Sequence, residues 1–219
     1  MAQILSDNDR GRLDKLVEEA EKSTNAQIVL AAVKRSDSYA ELPWKAFALG
    51  ASVAGLLVFY FDLLSPGWGS DTMVLVSVAS ILAAGAAFAL LAIVLPVFGR
   101  LFLSADRAET EVRQYAESLF LSREIFATSG RTGILMLISM FEREIVILPD
   151  KGLANRLSEN AMQNIILKMT AQLKRNEIAG AMETGVKEIG KTLGATASAA
   201  IKSAGKDELS NEIIEEKGV

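Results

Sequence analysis

A long uncharged run constrains this chain more than any other feature. Residues 73–99 contain no charged side chain, and Arg100 ends the run. The run exceeds the roughly 20 apolar residues that cross the hydrocarbon core of a bilayer. It also has no polar face of the kind that a helix on a soluble domain turns toward water. We therefore predict a transmembrane helix, rather than a buried helix of a soluble core.

A shorter apolar run precedes it, and the two together predict a helical hairpin. The first run covers residues 46–64 and carries one charge, at Asp62. The intervening SPGWGSDT is rich in the turn formers Pro, Gly and Ser. Aromatic residues with a polar tip fall near the ends of both spans, where such rings settle at the lipid–water boundary: Trp44, Tyr60 and Trp68. The first expected partner of the chain is thus a lipid bilayer.

Small residues within the spans predict close helix packing. In lipid, small side chains let two backbones approach and gain dispersion contacts. The positions that we select are Gly55 in the first span and Ala83, Gly85 and Ala87 in the second. They serve contacts between the two spans, contacts with another membrane protein, or both.

The distribution of basic residues predicts the orientation of the hairpin. No Lys or Arg lies between Lys45 and Arg100. The flanks carry Lys34, Arg35, Lys45, Arg100, Arg107 and Arg113. By the positive-inside rule, both termini lie in the cytoplasm and the turn lies outside. The amino terminus has no basic region followed by an apolar core, so we expect no cleaved signal peptide. We expect an integral membrane protein, of a bacterial inner membrane.

The segments on either side of the hairpin predict one soluble α/β domain. Buried strands are expected at 26–33, 132–140 and 143–149, with helices before, between and after them. The first two strands should pair in parallel across a crossover connection, and the last two should form an antiparallel pair. The predicted fold is a small three-layer α/β/α domain with a mixed sheet. The transmembrane hairpin is inserted in its first crossover.

This arrangement predicts a split domain. Residues 1–42 and 106–194 build the α/β domain, and residues 43–105 build the hairpin. Past Gly194 the chain becomes rich in Ala and Ser and then acidic, so we expect a flexible tail over 195–219.

Composition excludes several kinds of chemistry. The chain has no Cys and no His, which excludes Ser-His-Asp and Cys-His nucleophiles and thiolate or imidazole zinc sites. The formal net charge of -4 argues against nucleic acid as a partner, because phosphates need basic side chains to neutralise them. Any metal would be a hard cation such as Ca²⁺ or Mg²⁺ held by oxygen atoms.

Four stretches together resemble a known family. They read LSDNDRGRLDKLVEEAEKSTNAQIVLAAV, QYAESLF, TGILMLISMFEREIVILPDKGL and LKRNEIAGAMETGVKEIGKTL. In order and spacing they resemble the TPM domain, the fold of the thylakoid lumen acid phosphatase and of photosystem II repair proteins. The family usually enters its second strand with Asp-Asn-Gly. Here the entry is SGRTG, with Arg131 near the acidic position and Gly133 retained. At the later turn, LPDKGL carries Asp150 and Gly152.

Three acidic residues are the candidates for chemistry. Glu142 and Glu144 could bind Ca²⁺ or act as acid and base, or they could simply decorate a solvated hairpin turn. Asp150 follows a strand end and precedes Gly152, so it either caps a turn or binds a ligand, a divalent metal in particular.

Two functions remain open. The first is a non-catalytic, membrane-anchored domain that assembles or stabilises another membrane protein complex, with no cofactor. Some relatives of the domain act as auxiliary or repair factors, so the resemblance allows this role. The second is a divalent-metal-dependent acid phosphatase of the TPM type.

The charge distribution yields a topology prediction. An alkaline phosphatase reporter, which is active only outside the cytoplasm, should be inactive when fused after Val219. The same reporter inserted in the turn at 65–69 should be active, because the turn lies on the side without basic residues. Strong activity of the Val219 fusion would reverse the assigned orientation.

Overall fold

The structure is a computed structural model that describes residues 4–64, 70–196, 209 and 213–218. The chain forms two compact units. One comprises Met1–Asp37 and Ala108–Val219, and the other comprises Ser38–Arg107. Trp68 and most of the expected tail over 195–219 lie outside the described residues.

The first unit is built on a four-stranded mixed sheet. Its strands are β1 (Gln27–Val33), β2 (Gly133–Ser139), β3 (Glu144–Pro149) and β4 (Ile214–Glu216), in the spatial order β3-β2-β1-β4. β1 pairs with β2 in parallel, from Gln27 opposite Gly133 onward. β2 and β3 are antiparallel. The prediction of a parallel pair followed by an antiparallel hairpin is confirmed.

Burial explains the sequence of the central strands. Every residue of β1 and β2 is buried, which is why both strands are continuous apolar runs rather than alternating ones. β3 alternates, with Ile145 and Ile147 buried and their neighbours partly exposed. It therefore has one buried face, as expected of a strand at the end of the sheet.

Helices cover both faces of the sheet. On one face lie α1 (Asp7–Thr24), α6 (Glu159–Lys174) and α7 (Ile178–Thr196), whose apolar residues share a core with one side of β1 and β2. On the other face, α5 (Ala105–Ser122) packs Val112, Ala116 and Leu119 against Leu135 and Leu137. The predicted three-layer α/β/α fold is confirmed.

The structure departs from the sequence prediction in the tail. Residues 214–216 form β4, which pairs in parallel with residues 31–33 of β1. The composition of 195–219 as a whole did not indicate this strand, because the strand is only one isoleucine and two glutamates next to a polar stretch.

The second unit contains the apolar helices α2 (Glu41–Leu64) and α3 (Asp71–Val94), of 24 residues each. Both are long and apolar enough to cross a membrane. Only 6% of the most apolar window of each helix is buried. The core helix of a soluble protein would instead be mostly covered by its own chain.

The uncharged run is not one continuous helix. α3 ends at Val94, and Leu95 adopts an extended conformation before the short helix α4 (Pro96–Arg100). Pro96 is the cause, because its ring disfavours the helical conformation of the preceding residue. Pro96 then occupies the first turn of α4, where a missing N–H costs nothing.

Two glycines allow α2 and α3 to pack closely. A Cβ atom on Gly50 would lie 2.7 Å from the Phe88 ring, and one on Gly85 would lie 2.8 Å from the Phe47 ring. Each helix therefore offers a glycine to the other helix's phenylalanine. Since Phe47 and Gly50 are three residues apart, as are Gly85 and Phe88, both contacts lie on one face of each helix.

This packing predicts the effect of bulky substitutions. Gly50→Leu and Gly85→Leu should each destabilise the hairpin by about 1–3 kcal/mol, because the added atoms overlap a phenylalanine ring. Ala83→Leu is the matched control, since Ala83 is exposed. Resistance of the full-length protein in detergent micelles to thermal unfolding measures the effect. Equal stability of all three variants would contradict the packing.

Candidate functional site

The candidate site around Asp150 lies at the amino end of the parallel strands. β3 runs antiparallel to β2, so Pro149 is opposite Ile134 and the Asp150 N–H donates to the Gly133 carbonyl at 2.8 Å. α/β sheets bind ligands at the carboxyl ends of parallel strands. The sequence argument for a strand-end cleft therefore does not apply to Asp150, because β3 reverses direction.

Two predicted turn glycines hold this site together. A Cβ atom on Gly133 would lie 2.2 Å from the Ile125 carbonyl oxygen, and one on Gly152 would lie 2.3 Å from the Gly130 carbonyl oxygen. The Gly152 N–H donates to the Arg131 carbonyl at 2.9 Å. The entry loop of β2 and the loop after β3 thus press backbone against backbone, which only glycine permits.

Asp150 is buried and its carboxylate is engaged. Its side chain is 4% exposed, and Arg131 Nε lies 2.9 Å from Oδ2, which is an ion pair by distance without the geometry of a hydrogen bond. The Lys151 N–H donates to Oδ1 at 2.7 Å, so Asp150 caps its own turn. The Arg131 guanidinium also lies over the Phe126 ring, 5.5 Å from its centre.

Arg131 reaches this position from a left-handed backbone conformation, with a φ of 53°. A non-glycine residue in this region is energetically unfavourable by about 1–2 kcal/mol. The ion pair with a buried carboxylate and the contact with Phe126 compensate for this cost. The left-handed backbone conformation of Arg131 and its ion pair with Asp150 therefore depend on each other.

These residues do not fit a hard divalent cation. Ca²⁺ takes 6–8 oxygen ligands, usually with several carboxylates among them. Asp150 already has a guanidinium at its Oδ2, and that positive charge would repel a metal ion. Over the ranges that the structure describes, no three acidic side chains converge as a metal site would require.

Glu142 has a structural environment that the sequence argument did not foresee. Its side chain is buried, not solvated. Oε1 accepts bonds from the Ser36 N–H at 2.9 Å and the Ser36 hydroxyl at 2.6 Å, and Oε2 accepts one from the Ser139 hydroxyl. Glu142 therefore ties the loop after β1 to the turn between β2 and β3.

Glu144, two residues on, is partly buried. Burial raises the pKa of its carboxyl, and the negative charges of Glu109 and Glu142 raise it further. A raised pKa is a property of many functional carboxyls. Among the contacts described above, Glu144 has no neighbouring group that would accept or deliver a proton in a reaction. We therefore attribute the raised pKa to burial first and to the like charges of Glu109 and Glu142 second.

The carboxyl ends of β1 and β2 carry a cleft that the sequence argument missed. It has a volume of about 420 Å³. The amino ends of α1 and α7 form its walls, together with Lys34 and Met140, which directly follow β1 and β2. The residues are scattered along the chain and form no motif. Only the rule that clefts follow parallel strands could have indicated them.

The predicted helix-packing residues take different positions. Gly85 is buried against Phe47, and a Cβ atom on Gly55 would lie 4.0 Å from Ile81 Cδ1. Ala83 and Ala87 are exposed. Their contact with a partner protein stays a prediction.

Comparison with known proteins agrees with the fold. Residues 101–192 match the family model of the TPM domain, so the resemblance found in the sequence is confirmed there. The NMR structure of BA42 protein from the psychrophilic bacterium Bizionia argentinensis is similar, with a TM-score of 0.58 and 14% sequence identity over 99% of this chain and 98% of that one. At this identity the likeness shows the fold alone. No curated protein matches the chain significantly.

The environment of Glu144 predicts a pH-dependent stability. A carboxyl whose pKa is raised in the folded state costs no stability below its ordinary pKa of 4.5 and destabilises as the pH rises through the folded value. Glu144→Gln should therefore raise the melting temperature at pH 7, and the gain should shrink toward pH 4.5. The exposed Glu19→Gln is the control. A gain that does not change with pH would contradict the assignment.

Proposed function

We propose that this chain is a membrane-anchored accessory subunit, because residues 101–192 match the family model of the TPM domain and two helices of the chain are long and apolar enough to cross a membrane. In this role it assembles or stabilises another membrane protein complex and catalyses no reaction. It needs neither metal nor cofactor.

The observation that carries this proposal is the ion pair of Asp150 with Arg131. Metal-assisted phosphate ester hydrolysis needs free carboxylates that hold a cation, and the cation then polarises the phosphate. Here the Asp150 carboxylate is already paired with the guanidinium of Arg131, which takes the place of a metal cation. The pair supports a structural role for the loops at this edge.

The connectivity of the chain supports an anchoring role. The hairpin lies between β1 and α5, inside the connection that joins two paired strands. Two covalent links, rather than one, therefore tie the α/β unit to the apolar helices. Such a double tether restricts the unit more than a terminal anchor would, which suits a subunit that docks at a membrane.

The surface of the hairpin supports contact with lipid and with another membrane protein. Large apolar side chains are exposed along both helices, among them Leu56, Phe59, Leu75 and Ile93. Ala83 and Ala87 leave a shallow strip among them, where a neighbouring helix can approach closely. The flanking basic residues favour cytoplasmic termini, in a bacterial inner membrane.

The proposal predicts no phosphatase activity and a defined neighbour. Full-length protein in lipid nanodiscs should not hydrolyse p-nitrophenyl phosphate above the level of its Asp150→Asn variant, with or without Ca²⁺ or Mg²⁺. In the source membrane, a photo-crosslinking residue at Ala83 or Ala87 should give a discrete adduct with another membrane protein.

Either arm can overturn the proposal. Metal-dependent turnover that Asp150→Asn abolishes would establish the acid phosphatase instead. Crosslinks to lipid alone, at Ala83, Ala87 and exposed positions of the α/β unit, would leave an anchored domain without a complex.

A further inference from the structure

The last described strand is held mainly by its side chains. β4 has three residues, and its ladder with β1 covers only residues 31–33. One further backbone bond runs from the Lys34 N–H to the Glu216 carbonyl, at 3.3 Å. So short a ladder gives little affinity by itself, because a parallel pairing is weak per residue.

One face of the strand points toward α1. Ile213 is buried in the core shared by α1, α6 and α7. The Glu215 carboxylate accepts bonds from the Ile4 N–H at 2.9 Å and the Leu5 N–H at 3.2 Å. Arg10 Nη2 lies 2.9 Å from Glu215 Oε1, and the Glu215 side chain is only 11% exposed.

The opposite face points toward α5. Ile214 packs against the core that α5 shares with the sheet. The Glu216 carboxylate accepts bonds from the Tyr115 hydroxyl and from Arg123 Nη2 at 3.0 Å. The pKa of Tyr115 is raised by burial and by its bond to Glu216, so the phenol keeps the proton that it donates.

Together these contacts recognise a four-residue pattern. In an extended segment, successive side chains point to opposite faces. Two apolar residues followed by two carboxylates therefore place one of each kind on each face, as Ile213 to Glu216 do. The groups that bind the carboxylates belong to α1, to the segment before α1, to α5 and to Arg123, which directly follows α5. They form a receptor that is separate from the tail.

We propose that this edge of β1, with Arg10, Tyr115 and Arg123, is a binding site for an extended segment of a partner protein with two apolar residues followed by two acidic ones. Residues 213–218 of the chain are its resident and exchangeable occupant. Addition of a strand to a sheet edge is a common mode of peptide recognition, in which pockets for alternate side chains give specificity. This inference does not depend on the proposed accessory role.

The tail competes with the partner because it is tethered. Residues 197–212 connect it to α7, and a short tether raises the effective concentration of a bound segment into the millimolar range. A free segment with the same pattern should therefore bind weakly while the tail is attached. Once the connection is cut, the tail binds as a separate peptide and can dissociate into the surrounding solution.

The experiment uses the full-length protein in nanodiscs with a protease site inserted between residues 200 and 201. The probe is a fluorescent peptide with the sequence of residues 209–219, LSNEIIEEKGV. After cleavage and dialysis, the peptide should bind saturably, and at least about tenfold more tightly than it binds the uncleaved protein. A peptide with Gln in place of both Glu215 and Glu216 should bind at least about tenfold more weakly, because the charge-assisted bonds are lost.

Matched arginine variants locate the site. Arg10→Ala should weaken binding of the peptide to the cleaved protein about tenfold or more. Arg12→Ala on the same helix should not, because Arg12 pairs with Asp9 and Glu183 instead.

Three outcomes would overturn the proposal. If the peptide does not bind the cleaved protein, the tail is a permanent part of the sheet and not an exchangeable segment. Equal binding of the Gln peptide would show that the carboxylates are not recognised. A dimer of the uncleaved protein that Glu215→Gln with Glu216→Gln dissociates would assign the site to the tail of a second copy.

Discussion

The parallel pairing of β1 with β2 is the interaction on which the rest of the structure depends. It joins residues 27–33 to residues 133–139, from segments that the apolar hairpin separates in the chain. Both strands are wholly buried. Their backbone N–H and C=O groups must therefore form hydrogen bonds within the sheet, because a buried polar group without a partner is energetically unfavourable. The helices on each face, β3 and β4 all attach to this pair. An insertion in the crossover is tolerated because the pairing itself is left intact.

A buried carboxylate lies at each end of this strand pair, and the two carboxylates have different partners. At the amino end, the buried Asp150 is neutralised by Arg131, which adopts a left-handed conformation there. At the carboxyl end, the buried Glu142 accepts bonds from Ser36 and Ser139. A buried carboxylate without such partners would cost several kcal/mol. Both residues therefore fasten loops to the sheet.

Carboxylates also fix the tail at the edge of the sheet. An open edge strand invites pairing with another chain, and proteins commonly cover such edges. Here the cover is a short strand whose two glutamates bond to groups on opposite faces. Charged contacts of this kind are specific for a pattern of residues, and a segment held through its side chains can be exchanged without unfolding the sheet.

The sequence by itself determined the apolar hairpin, the mixed sheet with its parallel and antiparallel pairs, and the layers of helices, because periodicity and run length are local properties. Only the tertiary structure decided the break at Pro96, the reciprocal glycine–phenylalanine contacts, the burial of Glu142, and the pairing of Arg131 with Asp150. It also revealed β4, whose isoleucine and two glutamates are held in a strand conformation by contacts with β1, α1 and α5. The physical reason is that partners distant in the sequence satisfy these groups, and no local pattern specifies which distant group will lie beside a given side chain.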